Sequence, residues 1–164
     1  TEYADNGMQK MSVLPIRQGN LFFSKFVIAA LVLSAMVVIE MAVLVGCAEY
    51  WFPGYLFDLT EILKTAGFQI VVSLPTVMLM LVIASACKNM WVSLGIGVIL
   101  VFTLSIFPQD NTVLSLFPFA SPYQTLAGAI ENSRTALFSV VCGIETVVFG
   151  IAEVLYLKVR RCFE

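Results

Sequence analysis

The stretch FVIAALVLSAMVVIEMAVLVGCA, residues 26–48, decides the fold. A helix rises about 1.5 Å per residue, so roughly 20 residues cross the ~30 Å hydrocarbon core of a bilayer. The stretch has that length, and its sole charge is Glu40. Working outward, residues 68–87, 91–108 and 136–157 are apolar runs of comparable length. Four such runs in 164 residues leave no room for a soluble core. Composition agrees: 60% of the residues are hydrophobic and 12% are charged, against about 25% charged in soluble domains. The expected fold class is all-α, a polytopic helical membrane protein with four transmembrane helices.

The distribution of basic residues sets the orientation, because Lys and Arg collect beside the cytoplasmic ends of spans. Lys10, Arg17 and Lys25 precede the first span, Lys88 joins the second to the third, and Lys158, Arg160 and Arg161 follow the fourth. The opposite side receives Lys64 and Arg134 together with Glu49, Asp58, Glu61, Asp110 and Glu131. Both ends of the chain are therefore expected in the cytoplasm. The net charge of −2 points to no nucleic-acid partner.

Residues 1–25 read as a cytoplasmic helix broken at Asn6-Gly7 or at Leu14-Pro15, since proline disfavours helical geometry in the residue before it. Residues 49–67 mix Tyr50, Trp51, Phe52, Tyr55 and Phe57 with acids, which suits either an interfacial segment or an exposed loop. Within it, residues 59–65 are expected as a short helix ended by Gly67. The connection over residues 87–90 is short enough to force spans two and three into an antiparallel hairpin. Residues 109–135 are too interrupted by Pro118 and Pro122 for a straight span and too apolar for a solvated loop. A re-entrant or interfacial pair of short helices fits them.

Histidine is absent, which removes the commonest general base and metal ligand. No GxSxG motif, glycine-rich phosphate loop or carboxylate pair at ligand spacing occurs, so no enzyme and no metal or other cofactor is expected in this chain. Cys47, Cys87, Cys142 and Cys162 show no CxxC spacing and read as small apolar residues.

The candidate functional residues within the spans are Glu40, Pro75, Glu145 and Glu153. A carboxylate in a span costs about 2.5–3.5 kcal/mol to insert and should face the bundle interior, a water-filled path or a partner. Inter-helix hydrogen bonding, contact with substrate or ion, and snorkelling to the headgroups all remain open for the three acids. Glu153, one and a half turns from Lys158, is the expected snorkeller. Glu145 and Glu153 share a broad helix face with Gly143 and Gly150, whose small size permits close contact. Pro75 removes a backbone donor and can kink its helix, with Ser73 a local partner.

Glu2, Asn6-Gly7, Lys10, Leu14-Pro15, Arg17 and Ser24-Lys25, followed at once by a long apolar span, form a pattern that resembles the permease subunits of ABC-2-type transporters. It is similar to the small permeases of bacterial lantibiotic-immunity and bacitracin-resistance exporters. The resemblance implies that residues 1–25 are the cytoplasmic segment against which an ATPase subunit pushes. Glu2, Gly7, Lys10, Leu14, Pro15 and Arg17 are then the coupling residues, and residues 26–164 the transmembrane permease domain. Met8 departs from the pattern, which has a small hydroxyl residue there.

The resemblance also implies a second permease subunit, a bacterial plasma-membrane location, ATP bound only by the partner, and two further spans ahead of residue 1. The implied function is export of an amphiphilic substrate such as an antimicrobial peptide. Alternatives are export of a drug, a lipid-linked molecule or sodium, a membrane-embedded enzyme, or a scaffold.

Overall fold

The computed structural model describes residues 18–52, 58–87, 89–106, 112–131 and 134–163. Every regular element among them is helical: α1 (Gln18–Trp51), α2 (Leu59–Ala86), α3 (Met90–Ser105), α4 (Thr112–Ser115), a 3-10 turn (Ser121–Tyr123), α5 (Leu126–Glu131) and α6 (Thr135–Phe163). Three helices, α1, α2 and α6, are long and apolar enough to cross a membrane, and α3 is a shorter apolar helix. At 16 residues, α3 rises only about 24 Å, less than the hydrocarbon thickness.

Helix α2 occupies the centre. It packs against α1, α3, α5, α6 and the 3-10 turn. Of its most apolar window 33% is buried, against 6% for α1 and 11% for α6. The outer faces of α1, α3 and α6 carry exposed Leu31, Met36, Ile39, Ile99, Phe102, Val147 and Ile151. Such surface is compatible with lipid, where apolar side chains are as well solvated as in a core.

Helix starts follow local chemistry. Asp58 is the N-cap of α2 and its carboxylate accepts from the Thr60 amide at 2.9 Å. Asn89 does the same for Trp91 at 3.0 Å at the head of α3. Each cap satisfies a donor that the first helical turn leaves without an internal partner. With Cys87 ending α2 and Asn89 capping α3, the two helices form the expected hairpin. Met80 seats against Gly97 across it: a Cβ at position 97 would lie 2.5 Å from the Met80 methyl carbon.

Several expected boundaries move. Helix α1 begins eight residues before position 26, so residues 18–25 continue the first span without a break. Gly67 does not end a short helix; α2 runs through it from Leu59 to Ala86. A glycine stops a helix when the chain turns into left-handed geometry there, whereas Gly67 is followed directly by the apolar run that α2 buries against its neighbours. Span three ends at Ser105, short of residue 108, and α6 begins at Thr135 and extends to Phe163, beyond residue 157.

The proline-interrupted region between α3 and α6 forms short helical pieces folded onto α2. Phe119 and Ala120 are buried there against partly buried Leu79, Met80, Ile83 and Leu100, and Ser121 is buried beside them in sequence. A second cluster joins Phe68 and Val72 of α2 to Leu126, Ala129, Phe138 and Cys142.

Candidate functional site

Hydroxyl groups in the spans divide into two classes. Ser24, Ser34, Ser73, Ser139 and Thr146 each donate to the carbonyl four residues back in their own helix, at 2.7–2.9 Å. Such bonds satisfy a polar side chain in lipid without linking elements. A smaller set reaches across the fold, and these residues define two polar sites along α2.

The first site surrounds Pro75, which is buried inside α2. Proline has no N–H, so the Val71 carbonyl loses its helical donor and the backbone around it is crowded. Here the segment between α4 and α5 docks. Gln69 donates through Nε2 to the Pro122 carbonyl at 2.9 Å. Thr76 donates through Oγ1 to the Pro118 carbonyl. In the reverse direction, the wholly buried Ser121 hydroxyl lies 2.9 Å from the Val72 carbonyl and 3.1 Å from that of Pro118. Irregular backbone is tolerated at membrane depth only when protein satisfies its polar groups. Gln69, Thr76 and Ser121 supply that satisfaction. Ser73, expected to assist at Pro75, bonds the Gln69 carbonyl at 2.8 Å instead.

The second site lies near the other end of α2. Ser85 Oγ is within hydrogen-bonding reach of the Val82 carbonyl, at 2.9 Å, and of Glu153 Oε1 on α6. Glu153 is 1% exposed, and its Oε2 is buried with no hydrogen-bond partner among the described residues. The expectation of snorkelling is therefore corrected. Glu153 points inward at α2, because its direction around α6, rather than its distance along the chain from Lys158, decides where it ends. Gly150, one turn earlier, makes the close approach possible: a Cβ there would stand 3.2 Å from the Met78 methyl carbon. Gly143 has open space around it and contributes no such contact.

Glu145 is half-buried on α6, with Oε2 also buried and lacking a hydrogen-bond partner among the described residues. The eight residues between the two acids correspond to about 12 Å along the helix, so they occupy separate stations along α6. Glu40 stands apart from both, exposed on α1. Glu2, Gly7, Lys10, Leu14, Pro15 and Arg17 lie outside the described residues. No group of three or more His, Cys, Asp or Glu side chains placed to hold a metal occurs among the described residues.

The family model described as ABC-2 family transporter protein matches residues 1–104. The chain belongs to the ABC-2 transporter family. That match takes in residues 1–17, helices α1 and α2, and α3 up to its last residue but one. No curated protein and no solved structure matches the chain. Members of the ABC-2 family are non-catalytic permease subunits, and membership implies a separate ATPase subunit as partner. This ABC-2 protein is accordingly a multi-pass membrane transport subunit and not an enzyme.

The residues that sequence reasoning missed are Gln69, Thr76, Ser85 and Ser121. Each is a polar residue in or beside an apolar run, which is a signal of sorts. Ser34 and Thr146 carry the same signal and bond only their own helices.

Proposed function

We propose that this ABC-2 permease exports an amphiphilic substrate, such as a lantibiotic-like or bacitracin-like antimicrobial peptide, across a bacterial plasma membrane. Energy comes from ATP bound and hydrolysed by the partner subunit, and a second permease subunit completes the pathway. The supporting observation is that the family match starts at residue 1 and so includes residues 1–25, with Glu2, Gly7, Lys10, Leu14, Pro15 and Arg17. Those residues act as a lever: a short segment seated in a groove of the ATPase transmits a rigid-body displacement to α1, with which residues 18–25 are continuous. Both ends of this chain then face the cytoplasm. The resemblance of the Asn6-Gly7, Lys10 and Leu14-Pro15 pattern to peptide-exporting permeases supports the cargo class. A small cation such as sodium is the second cargo reading, favoured by the inward carboxylates Glu145 and Glu153.

The test is co-expression of the full-length permease with its ATPase. Glu2→Ala with Lys10→Ala should leave the protein in the membrane, reduce co-purification of the ATPase and uncouple hydrolysis from export. Gly7→Val should act alike if Gly7 holds a left-handed turn, which a β-branched residue resists. Unchanged co-purification and export in both variants would remove the coupling role.

A further inference from the structure

A hydroxyl group has one proton to give. Ser85 Oγ meets two oxygens, the Val82 carbonyl at 2.9 Å and Glu153 Oε1. The carbonyl can only accept. An ionised Glu153 could also only accept, so a single Ser85 proton would face two acceptors, and Oε2 would remain sealed without a donor. A carboxylic acid resolves the count. Its O–H at Oε1 donates to Ser85 Oγ, and Ser85 in turn donates to the Val82 carbonyl. Oε2 is then the carbonyl oxygen of a neutral acid, whose burial costs far less than that of a charge.

We propose that Glu153 and Ser85 form a proton-binding site at the junction of α1, α2 and α6, where the bound proton joins α6 to α2. The position gives the proton its consequence. Ser85 is the penultimate residue of α2. The first turn of α1 lies beside the same place, since a Cβ on Gly19 would stand 3.8 Å from Val154, the neighbour of Glu153. Residue 18 continues directly from the segment proposed to receive the push of the ATPase. Displacement of α1 and parting of α2 from α6 open Glu153 to water and release the proton; closure takes it back. The proposal is independent of the cargo.

The charged and titratable groups on the packed elements are few among the described residues. Helix α1 contributes Lys25, Glu40, Cys47, Glu49 and Tyr50; α2 contributes Glu61 and Lys64 in its opening turns, with Cys87 just past its end. On α6 itself are Cys142, Glu145, Tyr156, Lys158, Arg160, Arg161 and Cys162. Lys158, Arg160 and Arg161 follow Glu153 toward the end of α6; Lys158 is exposed and so is not sealed in with the carboxyl group as a counter-ion.

Infrared difference spectroscopy of the full-length permease in lipid nanodiscs at neutral pH tests this directly. Wild type minus Glu153→Gln should contain a carboxylic-acid carbonyl stretch, and that same band should persist in Glu145→Gln. Carboxylate stretches in its place would overturn the proposal, as would carboxylate bands that shift on adding sodium chloride, which would assign a metal cation to the site. Should Glu153→Gln fail to fold, Ser85→Ala provides the second reading. Loss of the hydroxyl partner should move the acid carbonyl stretch to higher frequency, and an unmoved band would equally overturn the site. Glu153→Gln, whose amide donates to Ser85 as the acid does, should also keep wild-type thermal stability and lose part of its dependence on pH; an unaltered pH profile would argue against a bound proton.

Discussion

The Ser121 hydroxyl donates at 2.9 Å to the carbonyl of Val72, three residues before Pro75. The bond ties irregular backbone to a helix at the place where a proline has disturbed that helix. Gln69 and Thr76 bracket it with bonds to the Pro122 and Pro118 carbonyls. Side chains on each element thus satisfy carbonyls of the other, which lipid could not do.

Ser121→Ala should destabilise the permease by about 1 kcal/mol, the usual order for an inter-helix hydrogen bond in a membrane protein. Ser34→Ala is the control, because Ser34 bonds only the Ala30 carbonyl of its own helix, at 2.8 Å. Thermal unfolding in detergent would compare the two. Equal effects would mean that the segment around Ser121 is not held by this bond.

Gly97 and Gly95 differ by two positions on α3 and should respond oppositely to alanine. A Cβ at 97 would approach the Met80 methyl carbon to 2.5 Å and its sulfur to 2.7 Å, while a Cβ at 95 meets nothing within 4 Å. Gly97→Ala should cost about 1 kcal/mol, the low end for overpacking because the tip of Met80 can rotate away. Gly95→Ala should be neutral or slightly stabilising through helix propensity. Adding Met80→Ala to Gly97→Ala should remove the steric part of the cost, so purely additive double-mutant energetics would contradict the contact.

Asp58 should make the start of α2 sensitive to acid. Its carboxylate accepts from the Thr60 backbone amide and the Thr60 side chain, with Lys64 nearby, and its pKa is held below the ordinary carboxylate value. The stabilisation is therefore complete above the ordinary range and disappears as pH falls through the lowered value. Hydrogen exchange at the Thr60 amide should accelerate, relative to intrinsic rates, as that range is crossed. Asp58→Asn should keep the cap and lose the pH dependence, whereas Asp58→Ala should fray the turn at every pH. A pH-dependent Asn variant would move the effect to another group.

Orientation can be read by labelling. Cysteines introduced at positions 88 and 110, in a background without the native cysteines, should react with a membrane-impermeant reagent from opposite sides, with 110 reached from outside. Labelling of 88 from outside and not 110 would invert the topology that the basic residues imply.

Much of this fold was legible along the chain. Crossing a bilayer depends on a sum of transfer energies over consecutive residues, and consecutive residues are what a sequence displays. Thus α1, α2 and α6 were plain, and the short connection before Asn89 was enough to pair α2 with α3. Gly67 misled for a related reason. A glycine stops a helix only where the chain turns, and the turn is decided by what packs next, not by the glycine.

The resemblance of residues 1–25 pointed to the ABC-2 family, and the family match across residues 1–104 agrees. The partners of the polar side chains were not available in the same way. Ser121 lies 49 residues from Val72, and Glu153 lies 68 from Ser85. Hydropathy by itself determined that this chain is a bundle of membrane helices and the apolar centre of each, though not its ends, because lipid solvates each segment independently of the others. Only the tertiary structure decided which acid faces inward, since helices in lipid choose their neighbours by close contacts such as Gly150 on Met78, and those contacts alone bring distant polar groups within reach of one another.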